Sequence, residues 1–552
     1  MASESVHAQS ECSNWGSDSF FETASAYDVR YCIAAGADPN LPDPNGQTPL
    51  HAVAASGDNP ELIRALIDGG ADPDAQATNG ITPLHMAAAL NDNVDIIIAL
   101  LNGNAEPDAQ DQNEWTPLHW AIQRRDDQTA TIALLEAGAD PDARTADRRS
   151  PLHLAAVRND GFELIVSLLA GNADPNPIDR NGWTPLHWAA AWNQDPQVLA
   201  ALLSQGADPN ARLPENDATP LHTAAQLNSN PAVISVLLAG GADPNSPTDG
   251  GLAPLHVAAV NTMEPGVIFT LLAGGADQYA RSHEGLMPLH LAAAHNNNAD
   301  VVSALLGSGM DVDARDWYGL TALHYAAVSN NNPAIVGALI DGGASPDAES
   351  GNGATPLHAA VQSNLNPAII AALLNGGADT NSRNADGWTP LHWVAAQGDD
   401  PTAVTTLVDG GASLDVRTDD GLPPLHLAVA QNFNTDIVRA LLDVGASAWG
   451  RDEGGSTPLH WAAARTGSVA MVALLLAAGA DPNARSDNAG TTPLHVAALL
   501  NRSPEVVLAL LDSGMNPNVR ASTGQTPWDL MQQNGALEGT EAWRRLREAN
   551  ED

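Results

Sequence analysis

The sequence predicts an all-α solenoid, elongated and curved, of helix-turn-helix units joined by hairpin-like loops. Three observations carry this. Fourteen histidines recur at a nearly fixed interval: His51, His85, His119, His153, His187, His222, His256, His290, His324, His358, His392, His426, His460 and His495. The interval is 34 residues except at 187→222 and 460→495, where it is 35. Most of these histidines close a Thr-Pro-Leu-His run, and a fixed period of about 20–50 residues is the signature of stacked repeats. The third observation is that the period continues past both ends, into degenerate copies. A further step of 34 from His495 reaches Asp529 in Thr526-Pro527-Trp528-Asp529, and a step back from His51 reaches Ser17.

Each element of the unit follows from its residues. In Thr82-Pro83-Leu84-His85-Met86-Ala87-Ala88-Ala89, Thr is an N-cap and Pro occupies the first helical position, where no amide donor is needed. The alanines allow close approach of neighbouring helices. Val94-Asp95-Ile96-Ile97-Ile98-Ala99-Leu100-Leu101 is apolar enough to be a second helix buried between units. It stops at Asn104, where counterparts hold Gly70, Gly138, Gly206, Gly241 and Gly275; Asn172 is the other exception. Gly first and Asn next suit a left-handed C-terminal residue. A polar turn such as Asn181-Gly182-Trp183 then leads to the next Thr-Pro.

Thr-Pro-Leu-His-x-Ala at this spacing resembles the ankyrin repeat over residues from about 15 to 550. The ankyrin unit is usually about 33 residues, so one residue is extra. It falls between the helices, at Asn91-Asp92-Asn93 or Asn330-Asn331-Asn332-Pro333. The two 35-residue steps lengthen the hairpin at 213–217 and 486–490 instead. The expected division is a polar, disordered segment 1–13, an N-terminal capping repeat 14–42, fourteen repeats over 43–518, and a C-terminal capping repeat 519–552.

Composition excludes several classes of function. The net charge is −43, which disfavours nucleic acid, since phosphate neutralisation needs a basic face. All 23 basic residues are Arg. A genomic or high-salt bias accounts for that, as does avoidance of lysine-directed modification inside a host cell. No run of 18 apolar residues exists, so no membrane-inserted helix is expected. Motifs for acyl transfer, zinc hydrolysis or phosphate binding are absent, and a Walker-type loop is impossible without lysine. No catalysis and no cofactor are expected. Successive ladder histidines sit about one helix spacing, roughly 10 Å, apart, too far to share a metal at about 2 Å bonds. The resemblance implies a structural histidine that bonds within the Thr-Pro turn.

Cys12 and Cys32 both lie in the N-terminal cap, and the chain has no other cysteine. They are a disulfide candidate, which would imply an oxidising compartment; one buried and one free thiol is the alternative. Val6-His7-Ala8 before Gln9 resembles the end of a secretory signal, yet only Met1 to Ser5 precede it. A trimmed leader and a chance match both fit. A periplasmic or secreted location is expected, with the cytoplasm as the alternative. In the other cap, Arg544, Arg545 and Arg547 suit either a helix C-terminus or the last acidic loops.

The resemblance implies that a protein partner contacts a concave face built from hairpin tips and the exposed side of the first helix. In this chain those positions precede Thr-Pro, precede the hairpin Gly, or follow His by four to five residues. They hold Trp115, Trp183, Trp192, Trp317, Tyr318 and Trp388, side chains typical of interface hot spots; the bland reading is a Trp lying flat on the next hairpin. Trp120, Trp188, Trp393 and Trp461, one after His, read as packing. Nine arginines from Arg144 to Arg520 share one phase, explained by charge pairing down an acidic stack or by a stripe that reads carboxylates on a partner. Glu114, Arg148 and Asp217 replace the hairpin Gly, so residues 110–220 should be the irregular part. That stretch also holds Trp115, Arg124, Arg125, Trp183 and Trp192 and is the expected recognition patch. The expected function is a non-enzymatic scaffold for proteins, eukaryotic host proteins among the candidates. The rival is a structural spacer or self-associating rod adapted to high salt.

Overall fold

Most repeats begin with the same knot of hydrogen bonds, and Thr82 shows why. Its amide donates to His85 Nδ1 at 3.1 Å, its hydroxyl lies 2.9 Å from the same nitrogen, and the His85 amide returns to Thr82 Oγ1 at 3.5 Å. His85 Nε2 sits 2.9 Å from the Trp115 carbonyl, thirty residues on. A carbonyl only accepts, so Nε2 carries the proton and Nδ1 keeps its lone pair for the cap. One imidazole thus starts its own helix and fastens the next hairpin. Leu84, Ala87 and Ala88 behind it are fully buried, and burying such a Leu contributes about 1.5–3 kcal/mol.

The second helices use a different start. Asp195 accepts from the Gln197 amide at 2.9 Å, and Pro196 opens the helix Pro196–Ser204, which buries Val198, Leu199, Ala201 and Leu202. The extra residue between helices earns its place at Asn91. Its buried amide donates to the Ala54 and Gly57 carbonyls of the preceding repeat at 2.9 and 2.8 Å. Asn193, Asn228, Asn330 and Asn501 repeat that bond.

The computed structural model describes residues 12, 14–123, 128–363, 365–432, 434–465 and 467–551; of the segment 1–13, expected to be disordered, only residue 12 is included. Among the described residues are 32 helices and no strand. The chain forms an all-α repeat fold in two units, Met1–Asp277 and Gln278–Asp552. The first opens with a cap of two helices, Asp18–Phe21 and Ala26–Ala34. Cys12 is disulfide-bonded to the buried Cys32, their Cα atoms 5.6 Å apart. Trp15, Phe20 and Phe21 meet edge to face beside them, at 5.0–5.6 Å. Seven helix pairs follow, from Pro49–Ser56 to Pro265–Ala273. The second unit holds seven more, from Pro288–His295 to Pro504–Asp512, then Pro527–Met531 and Glu541–Glu551. In that last helix Arg545 pairs with Asp512 at 2.6 Å, Arg547 with Glu551 at 2.9 Å, and Arg544 with Glu541.

Asn104 and Asn172 take φ of 68° and 67° after their helices. The hairpin tips Glu114, Arg148 and Asp217 are left-handed as well, at 62°, 61° and 59°. Leu365, at 48°, is a left-handed residue that no glycine pattern in the sequence announces.

Candidate protein-binding face

Hairpin tips and first helices share one face, because their aromatic rings touch. Trp183, on a hairpin, stacks on Trp192, five residues after His187, with centroids 5.2 Å apart and planes 10° from parallel. Trp188 meets Trp192 edge to face at 5.4 Å, the pairing that an i,i+4 spacing on a helix permits. Trp115 faces Trp120 at 6.4 Å, and Trp388 faces Trp393 at 4.8 Å. Trp192 is 48% exposed, while Trp115, Trp183 and Trp388 are half-buried.

A single carboxylate organises the best-formed part. Asp179 Oδ1 accepts from the Asn181 and Trp183 amides at 2.8 and 2.9 Å, which shapes the hairpin. Its Oδ2 accepts from Trp188 Nε1 at 3.2 Å, which fixes the ring. Asp111 does the same for Trp120 at 3.1 Å, Asp452 for Trp461 at 2.8 Å, and Asp316 for the Tyr325 hydroxyl at 2.7 Å. Burial and then the Asp316 bond push the Tyr325 hydroxyl pKa upward. The aromatics after His therefore belong to this face as well as to the packing beneath it. The signal stood in the sequence, as an Asp nine residues before each of these four rings. Thr145, Thr248, Ser282 and Thr418 stand there in repeats whose ring position is Leu or Val.

The remaining candidates are dispersed. Trp317 is 65% exposed yet lies across Gly285 of the preceding hairpin, where a Cβ would come within 2.5 Å of its ring. Tyr318 beside it is 72% exposed. Arg124 and Arg125 lie outside the described residues. Arg124 follows Trp120 by four residues, the interval at which Arg465 follows Trp461.

The arginine line does something other than pair charges along its length. Arg144 donates to the Arg148 and Ile178 carbonyls, Arg281 to Gly285 and Arg315, and Arg417 to Gly421 and Arg451. Each staples its own hairpin to the next through backbone oxygens. Ion pairs appear at Arg212–Asp217, Arg383–Asp419 and Arg451–Asp487. Arg144, Arg281 and Arg417 thus bond carbonyls at one phase of successive hairpins, beside the charge pairing at Arg212, Arg383 and Arg451.

Both nitrogens of the ladder histidines are engaged at positions such as His153 and His187, and burial lowers their pKa to about 4. They are neutral structural groups at pH 7.

A family model described as ankyrin repeats (3 copies) matches eight overlapping stretches between residues 23 and 521. With the helix pairs and the Thr-Pro-His knots in place, the chain belongs to the ankyrin-repeat family. Repeats of this family form scaffolds for protein–protein interaction. No curated protein matches the chain.

Proposed function

We propose that the chain is a non-catalytic scaffold that binds a partner protein on its concave, hairpin-side face, with Trp183, Trp188 and Trp192 at the centre. The observation that carries this is the Trp183–Trp192 stack, which leaves a large flat ring 48% exposed on a rigid helix. Elsewhere this position holds Ser56, Gln397, Gln431 or Leu500. Rigid, half-desolvated aromatics lose little entropy on binding and are frequent hot spots. The left-handed tips at Arg148 and Asp217 support the same region, since non-glycine residues there cost about 1–2 kcal/mol and retained strain suggests a use.

The Cys12–Cys32 bond supports an oxidising location, so a partner outside the cytoplasm, a host protein included, suits this reading. The test is capture from two extracts, an envelope fraction of the source cell and a eukaryotic lysate, with wild type and Trp192→Ser as baits. Trp192 is exposed, so circular dichroism should be unchanged. A protein held by wild type and released by Trp192→Ser from one extract supports the reading and says where the chain works. Equal capture by both baits overturns the placement on Trp192; no capture from either leaves the structural spacer ahead.

A further inference from the structure

The second unit carries a surface unlike the Trp183 stack. Two clefts of about 250 and 350 Å³ open on either side of the Trp461 ring, and both are walled by Trp461 and Arg465. The smaller is completed by Ala464, Val496 and Leu500, and Leu500 is an apolar side chain left 58% exposed. The larger is completed by Asp420, Asp452 and Glu453. Asp452 is committed to Trp461 Nε1 and the Ser456 amide. Asp420 and Glu453 are exposed, and among the described residues neither has a cation within ion-pair distance.

The ridge between the clefts shows what the ring accepts. The Arg465 guanidinium lies 5.0 Å from the centre of the Trp461 ring, a cation–π contact that the Asp452 bond holds at a fixed angle. Arg465 thus places one positive charge on this wall, and the three carboxylates of Asp420, Asp452 and Glu453 outweigh it, so the larger cleft stays acidic.

The spacing narrows the occupant. Neighbouring first helices in such a stack lie about 8–10 Å apart. A fully extended strand puts same-side residues at about 6.6 or 13 Å, which fits poorly. A polyproline-II segment has three residues per turn at about 3.1 Å each, so residues i and i+3 share a side about 9 Å apart. We propose that these two clefts bind a basic polyproline-II segment of a partner protein. An apolar side chain sits against Val496 and Leu500, and an Arg or Lys three residues along enters between Asp420 and Glu453. The net charge of −43 draws such a segment in.

The test is fluorescence anisotropy of the full chain with labelled peptides centred on Leu-Pro-Pro-Arg, Ser-Pro-Pro-Arg, Leu-Pro-Pro-Glu and the shortened Leu-Pro-Arg. Wild type should favour the first by about tenfold over each of the others. Leu500→Gln should erase the preference for Leu over Ser and spare that for Arg over Glu. Asp420→Asn with Glu453→Gln should do the reverse. All three residues are exposed, so the fold is kept, and circular dichroism verifies it. Equal affinity for all four peptides, preferences unchanged in the variants, or no saturable binding below about 1 mM overturns the proposal. It stands apart from the Trp183 face. A chain that captures its partner through Trp192 and ignores these peptides refutes this inference and leaves that reading intact.

Discussion

Taking the protein from pH 7 to pH 5 should destabilise it severely, and the ladder histidines set the size of the effect. Burial, as the first cause, pushes His119, His153, His187, His222, His392 and His426 from 6.5 to about 4. Each is at most 2% exposed. The folded state resists protonation because, as at His153, Nδ1 already accepts the cap amide while Nε2 donates across the repeat boundary. At His426 Nδ1 lacks that amide, and burial is the main opponent of the charge there. The unfolded chain binds protons near 6.5 that the folded chain refuses until about 4. This stability is therefore fully present above pH 6.5 and lost as pH falls through the interval. At pH 5 each such histidine contributes a loss of about 2 kcal/mol. Four lie in residues 1–277 and two in 278–552, so the losses are about 8 and 4 kcal/mol, against typical domain stabilities of about 5–15 kcal/mol. Asp108, whose carboxyl burial pushes up, acts in the opposite direction. Urea unfolding by circular dichroism at the two pH values, with NMR titration of the imidazoles, measures the effect. A midpoint that holds or rises at pH 5, or ladder histidines titrating near 6.5 in the folded protein, would refute the argument.

Three further outcomes follow from single sites. Pro423 stands where other repeats supply a cap amide, so His426 Nδ1 is buried without a partner. Pro423→Thr should raise stability by about 1 kcal/mol, the relief of that acceptor less the proline's restriction of the unfolded chain, read as a higher urea midpoint at constant slope. Changing Glu114, Arg148 and Asp217 to Gly together should relieve three left-handed tips and stabilise the first unit by about 1–3 kcal/mol, measured by thermal unfolding. Reducing the Cys12–Cys32 bond releases a constraint across 20 residues and should cost about 3 kcal/mol, confined by hydrogen exchange to the N-terminal cap.

The repeat was legible because stacking imposes one solution on every unit. His85, Pro83 and Leu84 each have a local physical reason, and the Leu and His recur in all fourteen repeats. The left-handed tips could be read too, since the absence of Gly at Glu114 is visible once its phase is known. What escaped was pairing between positions that are far apart in sequence. The Asp179–Trp188 bond spans nine residues, and the Asn91 bonds span 34 and 37. Both leave a trace in which residue types occur together, but only when repeats are compared column by column. The arginine line was legible only in part, since Arg212, Arg383 and Arg451 do pair with carboxylates. Neighbouring carboxylates suggested ion pairs, while the partners of Arg281 and Arg417 are backbone carbonyls, which no side-chain pattern can announce. Among the candidate residues, Trp317 and Trp192 share a residue type and an exposed position, and only packing separates a ring braced on Gly285 from one stacked on Trp183.

The ladders of histidine, asparagine and arginine all reach forward or back by one period. His85 reaches Trp115, Asn330 reaches Asn296, and Arg281 reaches Arg315. No donor in these ladders is specific to its address; each needs only a neighbour in phase. Within either unit, away from the longer hairpins at 213–217 and 486–490, excision of 34 consecutive residues would therefore rejoin the ladders across the seam, whereas excision of 33 would leave each donor facing the wrong atom. Chain length becomes a quantity that gene-level duplication and loss can change in whole steps, at no cost to the chemistry of the join. Distance between docking points can then be selected independently of the docking points themselves.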